Sequence, residues 1–271
     1  MTGSMIATME SIALDAGKII LGAFRNGCAV EQKGDGSPVT DADEHAEEFI
    51  NNALRKTFPS IPIVAEEATS NGRLASFEYG DEFFLVDPLD GTREFINGRP
   101  EFTVNIALVS KGFPVLGVVV APALEVAFSA NGYTAERIAC RGDLTSRSRT
   151  TISTRPGGES LVAVVSRSHS CDLTKQFLTD HAISSCTDIG SSLKFCLLAE
   201  GKADIYPRFG RTMEWDTAAG DAVLRSAGGT THTLDGQILR YGKVRQANDT
   251  DFANPGFIGR GCQTGERHKG R

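Results

Sequence analysis

The sequence predicts a layered α/β protein, and three observations carry that expectation. A run of short apolar segments, 102–110, 113–121 and 124–130, is punctuated by Lys111-Gly112 and Asn131-Gly132, which reads as consecutive antiparallel strands. Beyond residue 160, strand-like and helix-like segments alternate. The chain has 271 residues, 40% of them hydrophobic and 23% charged, enough to bury a large core in an ordinary globular composition.

The elements follow in order. Residues 5–25 read as an amphipathic helix, with Ile6, Met9, Ile12, Ile19, Ile20 and Phe24 on one broad face and Asn26-Gly27 as a stop. Residues 33–38, Lys-Gly-Asp-Gly-Ser-Pro, are loop by composition. A second helix spans about 41–57, capped by Thr40 or Asp41 and ended by Pro59. Residues 61–65 and 83–87 are short strands, followed by the antiparallel run. The Arg-, Ser- and Thr-rich stretch 141–160 reads as the border between an N-terminal half, 1–150, and a C-terminal half, 151–260. In the second half, 161–166 is a strand, 171–182 and 191–200 are helices, 203–206 is a strand and 216–227 is a helix ended by Gly228-Gly229. The polar, basic tail 261–271 is expected to be disordered.

Composition excludes some roles. The net charge is −6 and the pI about 5.5, which argues against a sequence-independent grip on nucleic acid. Met1–Met9 lacks a secretory pattern, and the most apolar stretch, 113–128, is too short and too interrupted to span a bilayer. An intracellular protein that recognises a small molecule is the expectation. A homodimer is compatible with the chain but does not follow from it. The six cysteines, Cys28, Cys140, Cys171, Cys186, Cys196 and Cys262, form no C-x-x-C pair and are expected to be reduced, mostly core thiols.

The chemistry concentrates in Asp87-Pro88-Leu89-Asp90-Gly91-Thr92, directly after the apolar run 83–86. A strand therefore delivers Asp87 to its carboxyl end, where α/β sites commonly lie. Pro88 stops the ladder and Asp90 folds back toward the same point. Gly91 admits close backbone approach, and a helical turn starting at Thr92 would aim free N–H groups at a phosphate. Carboxylates, a carbonyl and a hydroxyl are hard oxygen donors of the kind magnesium takes, and a pair of such ions clamps in-line phosphoryl transfer. Glu66-Glu67, Asp216 and Asp43 are the further carboxylates available. Each acid also has a plain reading: solvated charge for the glutamates, helix N-cap for Asp216, turn residue for Asp87 and Asp90.

The set resembles the inositol monophosphatase superfamily. The matching pieces are Val64-Ala65-Glu66-Glu67, the run from Asp87 to Phe95, and Trp215-Asp216-Thr217-Ala218-Ala219-Gly220, in the family's order and spacing. The resemblance implies the αβαβα sugar-phosphatase fold, two or three magnesium ions and inhibition by lithium. It implies that Glu66, Asp87, the Leu89 carbonyl, Asp90 and Asp216 hold metal. It also implies that Thr92, paired with Asp43, orients the attacking water, and that the Gly91 and Thr92 amides hold the phosphate. Residues 95–98, 101–107, 166–169, 190–196 and 199–210 are similar to the bacterial 3′(2′),5′-bisphosphate nucleotidase branch. That branch hydrolyses adenosine 3′,5′-bisphosphate (PAP) to AMP and phosphate in sulfur metabolism. It is cytoplasmic, with some relatives described as peripheral on the inner membrane. Inositol-specific members carry an acidic residue near the position of Arg208. A substrate that retains a second phosphate needs a cation there, and Lys194, Arg208 and Arg167 are candidates, with Ser191 and Ser192 beside them. The alternatives are an inositol or sugar-phosphate phosphatase of the same fold, and a silent phosphate or metal sensor.

Overall fold

The computed structural model describes residues 2–34, 36, 38–72, 82–158, 160–167 and 171–262. The first half opens with α1 (Thr2–Asn26), a hairpin of β1 (Val30–Gln32) and β2 (Pro38–Thr40), and α2 (Asp41–Thr57). Then come β3 (Ile63–Ala65), α3 (Glu66–Ser70), β4 (Glu82–Asp90) and α4 (Thr92–Ile96). A meander of β5 (Thr103–Ser110), β6 (Phe113–Ala121), β7 (Val126–Ala130), β8 (Ala135–Cys140) and β9 (Ser146–Ile152) follows. The second half runs β10 (Val162–Ser166), α5 (Asp172–Asp180), β11 (Ser185–Ile189), α6 (Leu193–Ala199), β12 (Ile205–Arg208) and β13 (Thr212–Met213). It closes with α7 (Ala218–Ser226), β14 (Thr230–Thr233), β15 (Ala253–Asn254) and β16 (Phe257–Arg260).

Two sheets organise these elements. One has the order β3-β4-β5-β6-β7-β8-β9, with β3 parallel to β4 and the rest antiparallel. The other has the order β11-β10-β12-β16-β14. The central strands of the first sheet, β4 to β7, read as largely apolar runs because both faces are covered. Phe84, Val86, Ile106, Leu108, Val118 and Val120 join Met9, Ile12 and Ile20 of α1 and Ala46, Ile50 and Leu54 of α2 in one core. The alternate residues Phe83, Leu85, Val109 and Val119 join Phe195 of α6, Val223 of α7, and Val164, Tyr206 and Phe257 of the second sheet. Phe177 and Leu178 of α5 pack on Ala163 and Ile205 from the outer side of that sheet. The layers are therefore α1/α2, sheet, α6/α7, sheet, α5, the αβαβα order.

One glycine sets how closely the third layer sits. A Cβ on Gly117 of β6 would lie 2.6 Å from the Ala219 carbonyl oxygen and 2.6 Å from the Ala222 Cβ of α7. Only glycine admits this approach, and it fixes where α7, and Asp216 just before it, rests on the first sheet.

Several expectations need correction. Residues 124–130 are not all strand: Pro122–Leu124 form a single 3-10 turn, Glu125 is left-handed with φ 54°, and β7 starts at Val126. The stretch 141–160 is not simply a border, since it contains β9, and residue 150 falls inside that strand. β9 escapes the sequence because it is an edge strand of Ser, Arg and Thr, exposed along nearly its whole length, with no apolar alternation. The edge strand β11 is hidden for the same reason. The cysteines are free, but only Cys140 and Cys196 are buried, while Cys186 is exposed and the other three are half-buried. Asp35, Ser37 and the tail from Gln263 to Arg271 lie outside the described residues.

Candidate active site

The acids arrive from local structure that serves a second purpose at each. β4 pairs Asp87 with Asn105 and Asp90 with Thr103, three steps along β4 against two along β5. This extra residue is a bulge at Pro88-Leu89, and it re-aims Asp90 off the ladder. The Leu89 amide donates to Asp87 Oδ1 at 3.0 Å. Asp87 Oδ2 is buried and has no partner. Gly91 turns the chain with φ 96°, and a Cβ there would stand 3.2 Å from the Glu101 carbonyl oxygen. α4 then starts at Thr92, the position at which a helical turn would aim its N–H groups at a phosphate.

Asp43 belongs to a capping box, which settles the cap on Thr40 rather than Asp41. The Thr40 amide and hydroxyl donate to Asp43 Oδ2 at 2.8 and 2.6 Å. Asp43 Oδ1 faces the Thr92 hydroxyl at 3.4 Å, and that hydroxyl is also 3.2 Å from the Leu89 carbonyl. Asp216 is not the N-cap of α7. Thr217 occupies that position, and Asp216 Oδ2 instead accepts from the Met213 amide at 2.8 Å. A pattern emerges at Asp43, Asp87 and Asp216: one carboxylate oxygen is tied to nearby chain, and the other is left for the site.

Ligand oxygens of Glu66, Asp87 and Asp216 lie within 4.8 Å of one another. The Ser192 hydroxyl sits 2.9 Å from Asp90 Oδ2 and 2.8 Å from the Asp216 carbonyl, and accepts from the Asn105 amide at 2.9 Å. It thus links the Asp90 and Asp216 segments. Burial pushes the Asp87 and Asp216 carboxyls well above the usual carboxylate range, and the neighbouring acids push further. Asp90 is raised by burial against the pull of Lys194. Burial lifts Asp43 to about 6, despite its bonds from Thr40.

The Lys33 ammonium lies 2.7 Å from Glu66 Oε1 and 2.7 Å from Glu67 Oε1. Burial opposes its charge, but the two glutamates outweigh that and raise it. Burial also lifts Glu67 to about 7. Glu47 accepts from the Glu67 and Ala68 amides at 2.7 and 2.8 Å, satisfying the start of α3, which has no side-chain cap of its own. Asn105, Lys33 and Glu47 were not singled out from the sequence, whereas Glu67 was, beside Glu66. Asn105 carried a usable signal, an amide inside an apolar strand.

A cavity of about 660 Å³ opens beside the acids, lined by Glu66, Asp90, Thr92 and Asp216 on one side and by Ser191, Lys194, Tyr206 and Arg208 on the other. Ser191 is left-handed, with φ 53°. Its carbonyl accepts from Lys194 Nζ at 2.6 Å, and that ammonium lies 5.5 Å from the Tyr206 ring centroid. Burial lowers Lys194 to about 8, with Asp90 pulling the other way. Arg208 bonds the Arg211 carbonyl at 2.9 Å, while its buried Nε has no partner. Arg167 is engaged elsewhere: it pairs with Glu101 at 2.9 Å, bonds the Asp188 carbonyl at 2.9 Å and does not line the cavity. Ser168 and His169 lie outside the described residues.

A set of hard oxygens with an orphaned buried carboxylate oxygen fits a divalent cation, and a basic wall across one cavity fits an anionic substrate. That is the layout of a phosphatase. Comparison with known proteins agrees. The sequence pattern of the inositol monophosphatase family matches residues 2–261, and the chain belongs to that family. The 3′(2′),5′-bisphosphate nucleotidase CysQ of Salmonella typhimurium is 42% identical over 255 residues, 93% of this chain and 98% of the relative. The crystal structure of CysQ from Bacteroides thetaiotaomicron superposes with a TM-score of 0.75 at 35% identity, covering 94% of this chain and 97% of that one. A Thermotoga maritima inositol monophosphatase superposes at 0.74 with 26% identity, covering 95% and 92%. No helix among the described residues is long and apolar enough to cross a membrane.

Proposed function

We propose that the chain is a magnesium-dependent 3′(2′),5′-bisphosphate nucleotidase that converts PAP to AMP and phosphate. The observation that carries this reading is the pairing, across one cavity, of an acid cluster with two buried cations, Lys194 and Arg208. A monophosphate needs the first feature, while a bisphosphate also gives the second something to meet. The 42% identity to CysQ over nearly the whole chain supports the same substrate.

Glu66, Asp87, the Leu89 carbonyl, Asp90 and Asp216 would hold two or three magnesium ions. Magnesium bound there supplies charge neutralisation at the phosphate and a water more acidic than bulk water. The chain's own groups do the rest. The Gly91 and Thr92 amides hold the scissile phosphate. The Thr92 hydroxyl orients the attacking water, with Asp43 fixing the hydroxyl. Asp43, hydrogen-bonded to that hydroxyl, is the carboxylate placed to accept the water's proton through it. The water oxygen bonds to phosphorus as the bond to the 3′-oxygen breaks, and the departing oxygen takes up a proton from solvent, balancing the one the attacking water gives up. Lys194, Arg208 and Ser191 meet the phosphate that stays on the nucleoside. Ser192 is bound to the acid side, and its role is to keep Asp90 and Asp216 in register.

The test is phosphate release from PAP by the purified chain, with magnesium and with chelator. Hydrolysis only with magnesium, inhibited by lithium, is expected. Undiminished release after exhaustive chelation would end the metal-dependent reading.

A further inference from the structure

Behind Asp216 lies a polar cluster centred on Asn254, a residue that does not line the cavity. Asn254, at the end of β15, is buried. Its Nδ2 lies 2.8 Å from the Met213 carbonyl, 3.0 Å from the Thr217 hydroxyl and 3.2 Å from the Thr212 hydroxyl. Its Oδ1 accepts from Lys243 Nζ at 3.1 Å. The partners fix which way the amide faces, because a backbone carbonyl can only accept and an ammonium can only donate. Lys243 is held in turn by Glu214 at 2.6 Å, and Glu214 also accepts from the Gly242 and Lys243 amides.

The arrangement spans the turn that carries Asp216. Met213 lies three residues before Asp216 and Thr217 one residue after it, and a single side chain holds both. Met213 is held at both of its backbone groups: Asn254 donates to its carbonyl, and its N–H donates to Asp216 Oδ2. By fixing Met213, Asn254 holds the N–H that orients the Asp216 carboxylate.

We propose that Asn254 is a positioning residue for the cation site. It staples the turn from Met213 to Thr217 so that Asp216 keeps one oxygen turned toward Glu66 and Asp87. The proposal rests on the reading of Asp216 as a cation ligand, but not on the identity of the substrate. Hydrogen-bonded partners behind metal ligands typically contribute ~10–100-fold in metal affinity.

The test uses Mn²⁺ as the probe and calorimetry as the readout, with the full chain. Asn254→Leu keeps the branched side-chain shape, at a somewhat larger volume, and removes every bond. It should weaken Mn²⁺ binding by about tenfold or more, and added metal should restore turnover. Metal binding would also rescue a merely loosened fold, so a remote destabilising variant is the control. Asn254→Ser, milder and kept in case the first variant folds poorly, should fall between it and wild type. Glu10→Gln breaks a remote ion pair with Arg149. It should lower thermal stability in chelator yet leave Mn²⁺ affinity unchanged. Wild-type Mn²⁺ affinity in the folded Asn254 variants would overturn the proposal. A wild type that binds no Mn²⁺ would instead overturn the cation-site reading, and this proposal with it.

Discussion

The two walls of the cavity are built differently. The acid wall is assembled from two adjacent strand ends, β3 and β4, with Asp43 and Asp216 added from either side. Asp43, Asp87 and Asp216 each spend one oxygen on nearby backbone or hydroxyl and present the other. The basic wall comes from α6 and β12 of the second half, one cation from each. Lys194 spends a bond on Ser191 and Arg208 one on Arg211, and Arg208 Nε is left over. Both walls are preorganised by partial satisfaction. The acids are concentrated enough to repel one another, so their wall favours proton uptake or, on the reading proposed above, a bound cation. The basic wall requires only that the substrate carry a second anion.

This contrast orders the predictions. Breaking the acid wall should cost most. Asp87→Asn should lower turnover on any phosphate ester by at least the ~10²–10³-fold that loss of one preorganised electrostatic group costs, measured as initial rates in saturating magnesium. Comparable rates for variant and wild type would remove Asp87 from the reaction. Thr92→Ala should lower turnover by ~10²-fold with KM little changed, because the hydroxyl orients water and leaves the phosphate to the amides. Should both Thr92→Ala and Asp43→Asn keep wild-type rates, that assignment is wrong.

Breaking the basic wall should be selective. Lys194→Ala and Arg208→Ala should each cost about 10- to 100-fold in kcat/KM on PAP, the range of one charge-assisted contact. Inositol 1-phosphate, without a second phosphate, should lose much less. Equal losses on both substrates would assign these cations to the fold.

The smallest effect is on stability in chelator. Folding raises Asp43 to about 6 and Glu67 to about 7, and lifts Asp87, Asp90 and Asp216 as well. The folded state then holds more protons than the unfolded one between about pH 4 and 7, so stability falls as pH rises through that window. The metal-free protein should melt at a higher temperature near pH 5.5 than near pH 8. Magnesium should narrow the gap by stabilising the ionised cluster. A melting temperature that rises toward pH 8 in chelator would contradict the shared burial of these acids.

What could be read from the sequence divides along the same line. Asp87, Asp90 and Thr92 lie within six residues, so their geometry is local and a motif exposes it. The central strands were legible because burial on both faces leaves continuous apolar runs. Lys33, Asn105 and Asn254 meet the site only through contacts across many residues, at Glu66, Ser192 and Met213 respectively. No spacing rule finds such pairs. Arg167 shows the converse: a cation in the right stretch of chain whose charge is already taken by Glu101. β9 and β11 were missed because an edge strand in water needs no apolar pattern.

Whether the basic wall selects a bisphosphate is tested directly by one comparison. Phosphate release by the wild-type chain should be measured on PAP and on inositol 1-phosphate, at equal magnesium and over a full range of substrate. A clear preference for PAP in kcat/KM, expressed mainly as a lower KM, is expected. A preference for inositol 1-phosphate would contradict it, leaving the chain a phosphatase of this family with a different substrate.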